Sequence, residues 1–445
     1  MNTMNTPVRA SVVDKVLSEC GLDDIGKASI RETVKIVNLI ESETGVSFVR
    51  MEMGVPGLPA SSVGIQAEIE SLKNGVASVY PSIEGIPELK EEASRFVKKF
   101  VNIEVAPPGC IPVSGSTQGS MAVFMTVGRC RPERDHILFI DPGFPVHKQQ
   151  VNILGMKYKS FDVYSYRSDA LRTKLESYLQ EGNISAILYS SPNNPSWICL
   201  TEKELAIIGE LSQKYDVTII EDLAYFGMDF RMDYGVSGQA PFQPTVARYT
   251  DNYVLMFSAS KIFSYAGQRI GFLAVSDQLF HRSFPNLKNY FTSEAFGHFI
   301  PYGALYALAA GTTHSAQCAL AAMLKAASDG KINLLKEVQE YGFRAKVMKE
   351  LFQRYRFNIV YDRDENLPLA DGFYFTISYP GFTGSRLIRE LLYYGISAIT
   401  LDITGSDRTE GLRACVSFAR REQFPDLEDR LRCFQQNHPI EVAPV

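Results

Sequence analysis

Phe257-Ser258-Ala259-Ser260-Lys261-Ile262-Phe263-Ser264-Tyr265-Ala266-Gly267-Gln268-Arg269-Ile270-Gly271-Phe272 places a lysine and an arginine eight residues apart among small and apolar neighbours, directly after the apolar run Tyr253 to Phe257. Lysine stems usually end in water. An amine held among Ser, Ala, Gly and aromatics behind a buried strand is expected to be poorly solvated, with a lowered pKa. Such an amine is a candidate nucleophile toward an aldehyde. A lone Ser-x-Ser-Lys is weak evidence, so the weight falls on the segments that precede it.

Those segments repeat one pattern. Cys110 to Val113 ends in Ser114-Gly115-Ser116-Thr117; Ile137 to Ile140 ends in Asp141-Pro142-Gly143-Phe144; Ala186 to Tyr189 ends in Ser190-Ser191-Pro192-Asn193-Asn194-Pro195. Val217 to Ile220 ends in Glu221-Asp222-Leu223-Ala224-Tyr225, and Tyr253 to Phe257 ends in the lysine segment. Helical stretches such as Thr201 to Tyr215 separate the runs, which predicts an α/β fold with a mainly parallel, doubly wound sheet. In such sheets ligands lie outside the carboxyl ends of the strands. Five strand ends would therefore bring together an anion cradle, an aromatic, an amide, a carboxylate with a phenol, and a lysine with an arginine.

Before this core, Ile30, Val34, Val37 and Ile40 recur at helical spacing and Gly45 closes the segment, while Gly54-Val55-Pro56-Gly57-Leu58-Pro59 reads as a linker or hinge. After it, Ile332 to Tyr355 predicts a long amphipathic helix leading into further strands and helices at Tyr374 to Ile377, Ser385 to Tyr394, Ser397 to Thr400 and Leu412 to Phe418.

Bulk composition narrows the function classes. The 445 residues carry 45 Lys and Arg against 50 Asp and Glu, a net charge of −5 with no long run of one sign, so neither nucleic acid nor an anionic membrane is an expected partner. The first fifteen residues hold no signal-peptide core and no window matches a membrane span, so a soluble, cytoplasmic protein is expected. Seven scattered cysteines without a Cys-x-x-Cys pair predict free thiols, and six histidines without ligand spacing predict no protein-held metal.

An aromatic wall, a carboxylate, a poised lysine and a phosphate nest match the needs of pyridoxal 5′-phosphate. From about Gly54 to Phe418 the chain resembles a fold-type I, class I/II aminotransferase, on Ser258-Ala259-Ser260-Lys261 with Arg269, Asp222 with Tyr225, Asn194-Pro195, and Arg413. The resemblance implies a large cofactor-binding domain over residues 56–325 and a smaller α/β domain formed by residues 1–55 and 326–445. It implies that Lys261 bonds the cofactor and moves the proton, that Asp222 pairs with the ring nitrogen, and that Tyr225 and Asn194 hydrogen-bond the 3′ oxygen. Phe144 matches the aromatic stacked on the ring, with His147 behind Asp222. Gly115, Ser116, Thr117, Ser258 and Arg269 match the phosphate site. Tyr80 resembles a tyrosine reaching the phosphate of a neighbouring subunit, which implies a homodimer with shared sites. Arg413, with Arg408 as its competitor, matches the arginine that grips the substrate α-carboxylate, and Gly54 and Asn194 line the substrate side.

One departure stands out. Asn194-Pro195 continues as Ser196-Trp197, where the family commonly has Thr-Gly, and Trp197 is the only tryptophan. The indole is expected to alter that turn and to narrow or cover the substrate side. The implied reaction is amino transfer from an L-amino acid to a 2-oxo acid by ping-pong kinetics. A carbon–sulfur lyase or an amino acid decarboxylase shares the same machinery. A DNA-binding regulator on this fold would need a basic module, which the stretch before Gly54 does not supply.

Overall fold

The computed structural model describes residues 6–22 and 24–440. The parts of the expected small domain at residues 1–5, 23 and 441–445, including the start of the segment read for a signal peptide, lie outside the described residues. The chain divides into two compact units, one of Leu58–Asn194 and Ile198–Gln339, the other of Met1–Gly57, Pro195–Trp197 and Glu340–Val445.

The larger unit is built on seven strands: β1 (Cys110–Val113), β2 (His136–Asp141), β3 (Lys157–Asp162), β4 (Ile184–Ser190), β5 (Thr218–Leu223), β6 (Tyr253–Ser258) and β7 (Gly271–Val275). Their order across the sheet is β1-β7-β6-β5-β4-β2-β3. Every pair is parallel except those made by β7, which runs antiparallel to both β1 and β6. The five apolar runs read from the sequence are all strands of this sheet. Two strands were not expected. β3 is an edge strand with lysines at 157 and 159, and such charge blunts an exposed edge while breaking up the apolar run. β7 begins at Gly271, immediately after the lysine segment, and a Cβ there would stand 2.3 Å from the Phe257 carbonyl oxygen. Only glycine permits that approach, and the lysine segment is consequently the connection between two adjacent strands.

Burial explains why the runs read so clearly. β1, β5, β6 and β7 are buried at every position, as strands covered on both faces are. The helix Ser116–Cys130 lays Ala122, Val123, Phe124 and Val127 into a core shared with Ile137, Phe139, Ile220, Val254 and Leu273. Each such large apolar side chain contributes about 1.5–3 kcal/mol. Register aligns the strand ends: Ser190 sits opposite Asp222, and Leu223 opposite Phe257, so β4, β5 and β6 finish level at their carboxyl ends.

The smaller unit carries a four-stranded antiparallel sheet in the order β10 (Ile399–Thr400), β11 (Leu412–Cys415), β9 (Tyr374–Ser378), β8 (Asn358–Ile359). Helix Ile30–Thr44 belongs here, opened by a Ser29/Glu32 capping box and closed by Gly45 at φ 71°. Of the strand expected around Phe48 to Met53, Val49–Arg50 pairs in parallel with Ile396–Ser397. Two helices went unread, Ala10–Glu19 and Phe424–Asn437. The second has apolar spacing at Leu427, Leu431 and Phe434, but among charged neighbours, and its Arg430 is buried through bonds to the carbonyls of Gly395 and Ser47.

Candidate active site

The larger unit presents one group of site residues at the carboxyl ends of its parallel strands. Asp222, the penultimate residue of β5, is 6% exposed. One carboxylate oxygen accepts the Ala224 N–H at 3.1 Å, and burial pushes the carboxyl up to about 7. His147 lies behind it, its Nε2 3.9 Å from the other carboxylate oxygen, longer than a hydrogen bond. Burial lowers that imidazole to about 4, so it is neutral at physiological pH. Its ring meets Phe144 edge-on at 5.5 Å and Phe124 at 6.2 Å. The Phe144 turn is therefore tied through His147 to the end of β5.

Lys261 projects from the short helical turn Ala259–Ile262 at the end of β6. The turn is capped by Ser258, whose Oγ accepts the Ser260 N–H at 3.2 Å and whose own proton is not used in that bond. The Lys261 side chain is half-buried, and its Nζ lies 6.0 Å from the centre of the buried Tyr225 ring. Amine and phenol thus share one side of the β5 and β6 ends.

Gly115 has φ 79°, which a glycine adopts without strain, and it precedes the fifteen-residue helix Ser116–Cys130. A Cβ at Gly115 would stand 2.4 Å from a terminal guanidinium nitrogen of Arg269. The guanidinium, which also donates to the Ala266 carbonyl at 3.0 Å, is therefore set at a helix N-terminus with Ser116 and Thr117 in its first turn. A cation and a helix start together favour a dianion. Asn194 is 8% exposed. Its neighbour Asn193, overlooked in the sequence, donates to the Pro142 carbonyl at 2.8 Å and to Ser190 Oγ at 3.2 Å, joining the β2 and β4 ends. Tyr80 is 90% exposed on this chain, apart from the buried group.

The smaller unit holds the remaining candidates. Arg413 in β11, between Thr376 of β9 and Ile399 of β10, is 2% exposed, whereas Arg408 is half-buried in a loop. The Arg413 guanidinium donates to the Glu52 carbonyl, and its Cζ lies 4.6 Å from the centre of the Tyr374 ring. Gly54 meets the same tyrosine, for a Cβ there would be 2.0 Å from the hydroxyl oxygen. Tyr374 was not singled out in the sequence, where one aromatic in Asp371-Gly372-Phe373-Tyr374 reads as core; only the buried arginine pairing opposite could have marked it.

Trp197 lies inside the smaller unit. Its φ of 67° lies in the left-handed region that glycine favours. The ring is fully buried, packed on Gly372 and edge-on to Tyr374 at 6.1 Å. Among the described residues there is no cluster of three His, Cys, Asp or Glu able to hold a metal, no helix long and apolar enough to cross a membrane, and all seven cysteines are free.

Residues 50–420 match the family model for aminotransferases of class I and II. The chain is 27% identical over 256 residues to a probable aspartate aminotransferase of Methanocaldococcus jannaschii, covering 58% of this chain and 62% of that protein. It is 25% identical over 262 residues to an aromatic-amino-acid aminotransferase of Thermococcus litoralis, covering 58% and 62%. The aligned stretch thus spans under two thirds of the length of these relatives. In fold, the aspartate aminotransferase of Thermotoga maritima superposes with a TM-score of 0.74 at 17% identity, over 95% of this chain and 99% of that one. With the family match running through both units and the fold agreeing, this chain belongs to the class I and II aminotransferases, a pyridoxal-phosphate-dependent family.

Proposed function

We propose that the protein transfers the amino group of an L-amino acid to a 2-oxo acid, using pyridoxal 5′-phosphate and ping-pong kinetics. The observation that carries this reading is Asp222. A carboxyl buried at a strand end and raised to about 7 is out of balance on its own, and a cationic ring nitrogen beside it would return it to the charged form. The rest of the donor set suits the same group: the Gly115 cradle with Arg269 for a phosphate, and the half-buried Lys261 amine for an aldehyde.

Pyridoxal phosphate supplies, when bound, an electrophilic carbon and a ring that accepts the electron pair released at the substrate Cα. The residues divide the remaining work. Lys261 would hold the cofactor through its aldehyde carbon, and its amine, when free, would take the substrate Cα proton and release it again. Asp222 holds the ring nitrogen protonated, with neutral His147 behind it. Tyr225 and Asn194 would hydrogen-bond the cofactor's 3′ oxygen, Phe144 would pack on its ring, and Gly115, Ser116, Thr117, Ser258 and Arg269 would hold the phosphate. Arg413 receives the α-carboxylate as a bidentate partner, with Gly54 and Asn194 on the substrate side. We assign the larger unit to cofactor binding and the smaller to substrate binding, in a cytoplasmic homodimer. The dimer reading is supported by the exposed apolar residues Ile65, Ile69, Leu72 and Val79 near the fully displayed Tyr80, which would reach the phosphate site of the partner subunit.

Initial rates measured against donor at several 2-oxo acid concentrations should give parallel double-reciprocal lines, with no ammonia formed from donor alone and at most one 2-oxo acid released per active site. Intersecting lines, ammonia, or repeated release of a 2-oxo acid without an acceptor would overturn the reading. The phosphate assignment has its own test. Gly115→Ala puts a methyl where the Arg269 guanidinium stands and strains a left-handed backbone, so cofactor affinity should fall about tenfold to hundredfold, a loss of about 1.4–3 kcal/mol. Equilibrium dialysis against pyridoxal phosphate measures this, and unchanged affinity would remove Gly115 from the site.

A further inference from the structure

Trp197, Tyr374 and Arg413 form a chain of contacts within the smaller unit. The indole is pressed on Gly372 so closely that a Cβ there would lie 1.9 Å from its Cε2. It meets the Tyr374 ring edge-on at 6.1 Å and 68°, and the Arg413 guanidinium lies 4.6 Å from the centre of the same ring. All three side chains are at most 2% exposed. Arg413 is otherwise fixed by the Glu52 carbonyl, and Glu52 is itself buried and tied to Arg50 at 2.7 Å. The guanidinium thus contacts both a backbone oxygen and an aromatic ring that in turn packs on the indole.

We propose that Trp197 is a positioning residue for carboxylate recognition: through Tyr374 it fixes the orientation of the Arg413 guanidinium and so sets the enzyme's discrimination for an α-carboxylate. This rests on the reading of Arg413 as the carboxylate-binding residue. The physical need is geometric, because a two-pronged contact to a carboxylate loses its second bond when the guanidinium plane turns. A glycine at 197 would suit the left-handed backbone but leave Tyr374 free to shift toward the vacated space, and Arg413 with it. Since Trp197 is the protein's single tryptophan, its emission is also a direct reporter of events at Arg413.

Two readouts test the proposal. Propionate, a carboxylate without an amine, is titrated into cofactor-free protein while indole emission is followed, and a saturable change is expected that Arg413→Gln abolishes. In the cofactor-loaded enzyme, Trp197→Gly should raise the donor KM about tenfold to hundredfold while changing kcat much less, and Trp197→Phe should restore most of the loss. A merely structural role would instead lower the amount of folded protein, leave the KM of the remainder unchanged, and spare the propionate response. The proposal is overturned if Arg413→Gln raises KM but propionate leaves the wild-type emission unchanged, or if Trp197→Gly, folded by circular dichroism, keeps the wild-type KM. If Trp197→Gly does not fold, the comparison of Trp197→Phe and Trp197→Leu decides, with KM rising in Leu and not in Phe. An Arg413→Gln variant with unaltered KM sinks the carboxylate assignment itself, a separate failure.

Discussion

Lys261→Ala is expected to reduce amino transfer by about 10²- to 10⁴-fold, the scale on which proton transfer by a positioned side chain contributes to a rate. The variant retains the short turn that carries the residue, because Ser258 caps that turn and Ala259 and Ile262 bury it. Folding and melting temperature should therefore change little. The loss comes from removing the amine set beside Tyr225, which would have to accept the substrate proton and release it again. Lys261→Arg sharpens the point. A guanidinium keeps the positive charge but does not give up its proton near neutrality, so this variant should be as inactive as the alanine one. Initial rates with the preferred donor measure both. Activity in either within tenfold of wild type would mean that another base moves the proton.

Asp222→Asn is expected to act in opposite directions on stability and on activity. In cofactor-free protein the buried carboxyl rises from 3.8 to about 7. A group raised on folding favours the native state fully at pH below its unfolded value and loses that contribution as pH climbs through its folded value. Relative to pH 4, wild-type Asp222 thus opposes folding increasingly up to about pH 7 and by a constant amount above, about 4 kcal/mol for the full displacement. Asparagine keeps the Ala224 bond through its carbonyl oxygen and carries no charge. The cofactor-free variant should therefore be more stable than wild type at pH 8, by up to about 4 kcal/mol, and equal to it near pH 4. His147 works the other way, lowered from 6.5 to about 4, and destabilises both proteins alike as pH falls below 6.5. Activity should drop about 10²- to 10³-fold, because breaking a buried ion pair costs about 3–5 kcal/mol. Urea unfolding of cofactor-free protein at pH 4 and 8 reads the first effect, and a variant less stable than wild type at pH 8 would show that Asp222 is paired to a cation within the chain itself.

The legible part of this protein was the part buried on both faces. β1, β2, β4, β5 and β6 read as uninterrupted apolar runs because helices cover the sheet, and a run that stops at a polar cluster marks the strand end where ligands gather. Lys261, Asp222, Tyr225 and Gly115 stood out for that reason. β3 did not, since its lysines answer to an exposed edge, and β7 did not, since its glycine start looked like the tail of the lysine segment. Tyr374 escaped for a different reason. A tyrosine beside a phenylalanine carries no signal of its own, and only the ladder that sets Thr376 opposite Arg413 brings its ring to the guanidinium. Trp197 was conspicuous but its direction was not, because nothing in Asn194-Pro195-Ser196-Trp197 tells that the indole turns inward onto Gly372. Asn193, one residue from a motif position, spends its amide on two strand ends rather than on a ligand.

The measurement closest to the central claim is the absorption spectrum of the purified protein with pyridoxal phosphate, before and after L-amino acids are added one at a time without any 2-oxo acid. A visible band from cofactor bonded to Lys261 is expected, absent in Lys261→Ala, with stable conversion by at least one amino acid to the amine form of the cofactor, reversed by a 2-oxo acid. No band even with added cofactor would contradict the assignment of Lys261, and a band that persists while pyruvate or carbon dioxide accumulates would contradict amino transfer.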